Sequence, residues 1–97
     1  MRNKIYTVYI VSNFTRTVLY TGASSNLTGR IWQHKNEFFD GFTKRYKCYD
    51  LVYYEFLDSA LSMVEREQQI NKYSRNKKEQ LIKKFNPTLI DLYEDLI

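Results

Sequence analysis

The segment from Lys4 to Ser12 (KIYTVYIVS) constrains the fold more than any other part of the chain. Tyrosine, isoleucine, valine and threonine fill its odd and even positions alike, so neither side is polar enough to face water. It reads as a strand buried on both faces. Asn13-Phe14-Thr15-Arg16 follows as a turn, and Thr17 to Gly22 (TVLYTG) resumes as a second strand. A hairpin is the economical arrangement. With an even loop in which Ser12 closes against Thr17, Tyr9 lies opposite Tyr20 and both side chains point to one sheet face; an odd loop separates them.

The segments that follow alternate helix and strand. Ser24 or Ser25 is placed to cap a helix whose apolar stripe is Leu27, Ile31 and Phe38, with His34 inside the stripe and Arg30 at its edge. Gly29 costs that helix about 1 kcal/mol relative to alanine, a cost expected to reflect close backbone approach. The helix frays into the loop at 40–45, and Cys48 to Phe56 (CYDLVYYEF) reads as a third strand. Asp58 or Ser59 caps a longer helix through Tyr73, with Ala60, Leu61, Met63, Val64 and Ile70 on its buried side and Glu65, Arg66, Gln69 and Lys72 on its wet side. Glu67 falls near the centre of the buried side, and Asn71 faces the same way. A carboxylate turned toward a core must be paired, protonated or bound to a cation. Ser74 caps a last helix through Phe85, with a stripe of Leu81, Ile82 and Phe85, and Asn86-Pro87 ends it. The acidic tail, with Leu89, Ile90, Leu92, Tyr93 and Leu96, is expected to pack back as a short helix.

Ninety-seven residues with no linker, repeat or low-complexity run imply one domain, 1–97. The single cysteine, Cys48, has no internal partner. Neither an apolar leader nor a long apolar span is visible, so a soluble, cytoplasmic protein with no membrane partner is expected. Net charge is +4, and Lys72, Arg75, Lys77 and their neighbours crowd the later helices while the tail is acidic. Basic residues beside 9 tyrosines, 6 phenylalanines and a tryptophan suit a polyanion such as nucleic acid; solvated helix lysines explain the charge equally well. One histidine and one cysteine exclude the usual Cys/His zinc sites, and no glycine-rich phosphate loop or nucleophile elbow is present. A hard cation such as Mg²⁺, held by one carboxylate with waters and substrate phosphate, stays open.

Taken singly, the polar candidates have ordinary explanations. Tyr9 and Tyr20 are aromatics in strands, Arg30 can lay its stem along an apolar stripe, and His34 can be a satisfied core histidine. Glu67 stands level between a functional carboxylate and a buried ion pair.

In their order, however, Thr7-Val8-Tyr9, Leu19-Tyr20-Thr21-Gly22, Arg30-Ile31 with His34, and Glu67 within VEREQQI resemble the GIY-YIG endonuclease superfamily. The likeness is closest to its small single-domain branch, whose ending resembles Asn86-Pro87-Thr88-Leu89-Ile90-Asp91-Leu92-Tyr93, and it covers roughly Ile5 to Leu96. Thr7 and Thr21 depart from the family's glycine and isoleucine without loss of a reacting group. Ala23 stands where some relatives carry a lysine, which leaves the proton work to His34 or a metal-bound water.

The resemblance implies an α+β, sandwich-like fold: a three-stranded antiparallel sheet flanked by helices. It also implies metal-dependent hydrolysis of phosphodiester bonds in DNA, with RNA as the alternative substrate. By that analogy Tyr9 and Tyr20 are the motif tyrosines, Arg30 contacts phosphate, His34 assists proton transfer and Glu67 binds Mg²⁺ or Mn²⁺. Arg30, Lys44, Arg45, Lys72, Arg75 and Lys77 are the expected nucleic-acid contacts. The alternative is a module on the same fold that binds nucleic acid without cutting it. At this size there is little room for a targeting domain, so low specificity or a protein partner for targeting is expected, and exposed Trp32 with Tyr53-Tyr54 is a candidate dimer face, the oligomeric state being open.

Overall fold

In the computed structural model, which describes residues 4–97, strand β1 spans Tyr6–Ser12, β2 Leu19–Ser24 and β3 Asp50–Leu57. They form one antiparallel sheet in the order β2-β1-β3. The central position of β1 explains its lack of a polar side, because it is paired on both edges and covered on both faces. Tyr9 and Val11 join a core with Leu27, Ile31, Cys48, Leu51 and Leu92. Val8 and Ile10, pointing the other way, join Val52, Tyr53, Ile70 and Ile82. A bulge serves this split: the register on β1 jumps between Ile10 and Val11, so β3 carries an extra residue and turns both Val52 and Tyr53 to the second core.

Helix α1 (Leu27–Lys35) covers the Tyr9 face, while α3 (Ala60–Asn71) and α4 (Arg75–Phe85) cover the other; a short α2 (Phe42–Arg45) precedes β3, and a 3₁₀ turn (Tyr93–Leu96) ends the chain. Ser59 and Ser74 cap α3 and α4 as expected, each hydroxyl accepting an N–H of the first turn. None of the helices is long and apolar enough to cross a membrane among the described residues.

The hairpin register differs from the expected one by two residues. Ser12 pairs with Leu19, Val11 with Tyr20 and Tyr9 with Gly22. The loop is longer because Asn13 organises it: its Oδ1 accepts the Val18 N–H at 3.0 Å and its Nδ2 donates to the Thr17 hydroxyl at 2.7 Å. An even shift keeps the faces, so Tyr9 and Tyr20 still share one side, on successive pairs rather than the same one. Neither expected serine caps α1. Asn26 does, its Oδ1 accepting the Gly29 N–H at 3.2 Å, and that amide fills the space a side chain at Gly29 would need. The close approach inferred at Gly29 is therefore made by the capping side chain and not by backbone.

Two apolar stripes are also narrower than expected. The first helix ends at Lys35, leaving Phe38 beyond it and exposed, so the buried stripe is Leu27, Ile31 and His34. On α3 only Ile70 is fully buried, and Leu61 and Val64 stay exposed. The contact stripe runs instead through Met63, Arg66, Ile70 and Tyr73, spaced three and four residues apart. Arg66 leaves the wet side assigned to it and turns beneath the helix, where Nε meets Glu55 at 3.0 Å and a guanidinium N–H reaches the Tyr73 hydroxyl at 3.1 Å. Two helices share a face only three strands wide, which leaves each of them a slim contact. Tyr53 is buried and Tyr54 half-buried, both against Phe85, so they do not form the exposed face expected beside Trp32.

The tail is stitched to β3. Asn86 Nδ2 donates to the carbonyls of Val52 at 3.1 Å and Ile90 at 2.8 Å. Asp91 Oδ1 accepts the N–H groups of Leu51 at 3.0 Å and Tyr93 at 3.1 Å, while Oδ2 pairs with Lys35. Asn86 and Asp91 thus hold the second strand edge of β3 closed against the last turn.

Candidate active site

Beneath α1, on the first face of the sheet, Tyr9, Tyr20, Arg30, His34, Phe39, Asp40, Phe42 and Thr43 line a cleft of about 260 Å³. Each wall has a local cause. Tyr9 stands on the central strand opposite Gly22, and a methyl on Gly22 would sit 2.5 Å from Tyr9 Cζ and nearer still to the hydroxyl. Only glycine lets the tyrosine ring lie across β2 in this way. Arg30 and His34 project from one side of α1 because they are four residues apart. Phe42 stacks on Tyr20 with ring centroids 5.9 Å apart, and Phe39 lies 5.6 Å from the His34 ring and 5.2 Å from the Arg30 guanidinium.

At the floor of the cleft the Tyr9 hydroxyl and His34 Nε2 are 2.9 Å apart, with Tyr9 and His34 both buried. Burial drives the two groups toward their neutral forms. The Tyr9 hydroxyl is pushed well above a phenol's ordinary value, chiefly by desolvation, with the Arg30 guanidinium pulling the other way and the charges of Tyr20 and Glu67 adding to the rise. His34 is pushed down to about 4 by burial, and the positive charge of Arg30 adds to the fall. At neutral pH the pair is therefore a neutral imidazole against a neutral phenol. His34 Nδ1 has no hydrogen-bond partner among the described residues.

Glu67 stands on α3, the helix that covers the other face of the sheet. Helix α3 packs over β2 and β1, and the Glu67 carboxylate is close enough for its charge to act on the Tyr9 hydroxyl. It is half-buried rather than central to a core, it does not line the cleft, and it belongs to none of the ion pairs formed among the described residues. The buried-ion-pair explanation for Glu67 thus finds no partner there.

The expected nucleic-acid contacts fall in two groups. Arg30 is in the cleft, and Lys44 and Arg45 stand on α2 at its rim, Lys44 facing Asp40 at 3.5 Å. Lys72, Arg75 and Lys77 gather where α3 meets α4. There Arg75 donates to the carbonyls of Thr17 at 2.8 Å and Arg16 at 2.6 Å, and Lys77 Nζ sits 4.2 Å from the centre of the Tyr73 ring. The wall formed by Phe39, Phe42 and Thr43 had no counterpart in the sequence reading. Its one sequence signal is Asp40-Gly41, where the glycine, at φ 103°, turns the chain into α2.

This sheet, with its paired tyrosines under an arginine-bearing helix, is that of a nuclease-type domain: residues 5–86 match the GIY-YIG catalytic domain, and the chain belongs to that family. Within it the chain is similar to small proteins designated UPF0213. It is 40% identical over 81 residues to the one from Syntrophus aciditrophicus, covering 82% of this chain and 91% of that protein. It is 41% identical over 64 residues to one from Clostridium perfringens (66% and 69%), and 32% identical over 79 residues to one from Haloquadratum walsbyi (81% and 88%). No solved structure matches the chain significantly.

Proposed function

We propose that this chain is a metal-dependent endonuclease that hydrolyses phosphodiester bonds in DNA, with RNA as the second substrate to be tested. The observation that carries the reading is the cleft itself, where a buried tyrosine hydroxyl is hydrogen-bonded to a histidine beside an arginine, with the unpaired Glu67 carboxylate on helix α3, which packs over the same strands.

The donor set fits a hard cation. Among the described residues no three His, Cys, Asp or Glu side chains converge to hold a metal, so a cation would draw on isolated carboxylates: Glu67, and Asp40 in the cleft lining, which faces Lys44 at 3.5 Å. That suits Mg²⁺ or Mn²⁺, which keep several waters and complete their shell with substrate phosphate, and it does not suit a Cys/His zinc centre. When bound by Glu67, the ion would supply Lewis acidity at the phosphate and offset charge on the leaving oxygen.

The protein groups divide the remaining work. Arg30, steadied against the Phe39 ring, offsets charge that grows on the phosphorus oxygens as water attacks in line. Tyr9 holds its proton tightly, so it works as a relay: it takes a proton from the attacking water as its own passes along the 2.9 Å contact to His34 Nε2. His34 is neutral and can receive that proton, and an anionic phosphate beside it raises its affinity for one. Tyr20 closes the cleft wall by stacking on Phe42.

The test is a cleavage screen over single-stranded, duplex, flapped and branched DNA and RNA with Mg²⁺ and Mn²⁺, run beside Glu67→Gln and Tyr9→Phe. Cleavage by the parent chain that both variants lose supports the reading. A salt-sensitive gel shift with no cleavage in any metal returns the chain to the binding-module class.

A further inference from the structure

At the mouth of the cleft, the surface around α2 carries a feature that the hydrolytic groups do not require. Phe42 and Tyr46 are 46% and 42% exposed, and their ring centroids are 4.7 Å apart. Phe42 in turn stacks on Tyr20, whose ring meets His34 edge-on at 6.1 Å. The rings therefore form a continuous ladder from the reacting groups to the surface, with two steps open to solvent. Lys44, Arg45 and Lys47 stand exposed beside it, and the Arg45 guanidinium lies 5.5 Å from the centre of the Tyr46 ring. The local acids are partly engaged, Asp40 with Lys44 at 3.5 Å and Glu37 with the Tyr49 hydroxyl at 2.5 Å.

Exposed aromatic faces are costly in water, and cations beside them repel one another unless an anion lies between. One ligand chemistry answers both: a strand whose flat bases stack on the rings while its phosphates lie along the lysines and arginine. Stacking faces are open only on unpaired bases, because in a duplex each face is already covered by the next pair. The first step of the ladder is also a wall of the cleft, so a nucleotide seated on Phe42 and Tyr46 is continuous with one presenting its phosphate to Arg30.

We infer that Phe42 and Tyr46, flanked by Lys44, Arg45 and Lys47, form a platform for unpaired nucleotides next to the scissile phosphate, so that the chain selects single-stranded or gapped nucleic acid over continuous duplex. This rests on the nuclease reading for the position of the phosphate, and its test does not require cleavage. The full chain in EDTA is titrated into short DNA and RNA strands carrying 2-aminopurine, and into the same strands as duplexes, with fluorescence quenching reporting stacking and anisotropy reporting affinity.

The expected result is quenching and tighter binding with the single strand of DNA or RNA. Affinity for that strand should fall about 10-fold in Tyr46→Ala and be largely retained in Tyr46→Phe, which keeps the ring. Arg45→Ala should reduce the salt dependence of binding by about one unit of slope. Equal binding of single strand and duplex by the parent chain, or Tyr46→Ala matching it on the single strand, overturns the platform. Stacking without cleavage in any metal would sink the nuclease reading and leave the platform standing; cleavage without stacking would do the reverse.

Discussion

The Tyr9 hydroxyl and His34 Nε2, 2.9 Å apart and buried, form a hydrogen-bonded pair in which neither partner carries a charge at neutral pH. The pair joins a central strand to the helix above it, so it is a structural link as well as a candidate proton path. Because His34 stays unprotonated down to about pH 4 in the folded chain but takes up a proton near 6.5 when unfolded, acidification penalises the fold.

The sign follows from proton uptake. Between about pH 6.5 and 4 the unfolded chain binds a proton at His34 that the folded chain does not, so stability falls as pH falls through that window. The contribution is present in full above the unfolded value and amounts to at most roughly 3 kcal/mol. Urea midpoints of the parent chain and His34→Gln, measured from pH 7.5 to 4.5, should converge on the acid side. Parallel curves across the window would show that His34 titrates normally in the folded state.

Gly22→Ala should disturb the site through Tyr9 alone. Gly22 has no left-handed backbone to lose, and the clash of the new methyl with the Tyr9 ring is the whole effect. Overpacking of this kind costs about 1–3 kcal/mol. The ring has to leave β2, which breaks its contact with His34. If the departing ring opens His34 to water, an NMR titration of Gly22→Ala should place the His34 pKa nearer 6.5 than 4, and a value still near 4 would show that the imidazole had stayed buried.

Glu67→Gln separates chemistry from structure. A carboxylate with no ion-pair partner among the described residues contributes little to folding, so stability should change by no more than about 0.5 kcal/mol. On the proposed reading cleavage should fall by at least about 100-fold, because the amide keeps the shape and loses the charge that would hold the cation. A large drop in the urea midpoint would instead mark Glu67 as a structural residue.

The central strand was legible because its residue types leave no face for water, and that one property demands a sheet with a layer on each side. Tyr9, Tyr20, Arg30, His34 and Glu67 were legible as an ordered series; the structure gathers the first four in one cleft and leaves Glu67 outside its lining. The hairpin register was not, since it depends on Asn13 bonding both Val18 and Thr17 across a longer loop. The contact face of α3 was not either: hydrophobicity favoured Leu61 and Val64, whereas Arg66 earns its place beneath the helix through Glu55 and Tyr73, residues distant or terminal on the wheel. The aromatic wall of Phe39 and Phe42 escaped for a related reason. Its residues follow no period, and only the fold sets them against His34 and Tyr20.

Asp91 offers the last separable prediction, because it stabilises the frame and touches none of the site. Its Oδ1 accepts two backbone N–H groups, from Leu51 and Tyr93, and its Oδ2 pairs with Lys35 at the end of α1. Lys35 also faces Asp50 at 3.9 Å, and Asp50 in turn pairs with Arg16 at 2.7 Å, so the carboxylates connect the tail, α1 and the hairpin loop. Asp91→Ala leaves the Leu51 N–H without its acceptor and Lys35 with only the longer contact. A loss of about 1–3 kcal/mol is expected, read as a lower urea midpoint with little change in slope. Below its melting range the variant should keep the low pKa of His34, since the cleft is built from other residues. If His34 returned toward 6.5 in Asp91→Ala, the tail would be holding α1 in place over the cleft as well as holding β3.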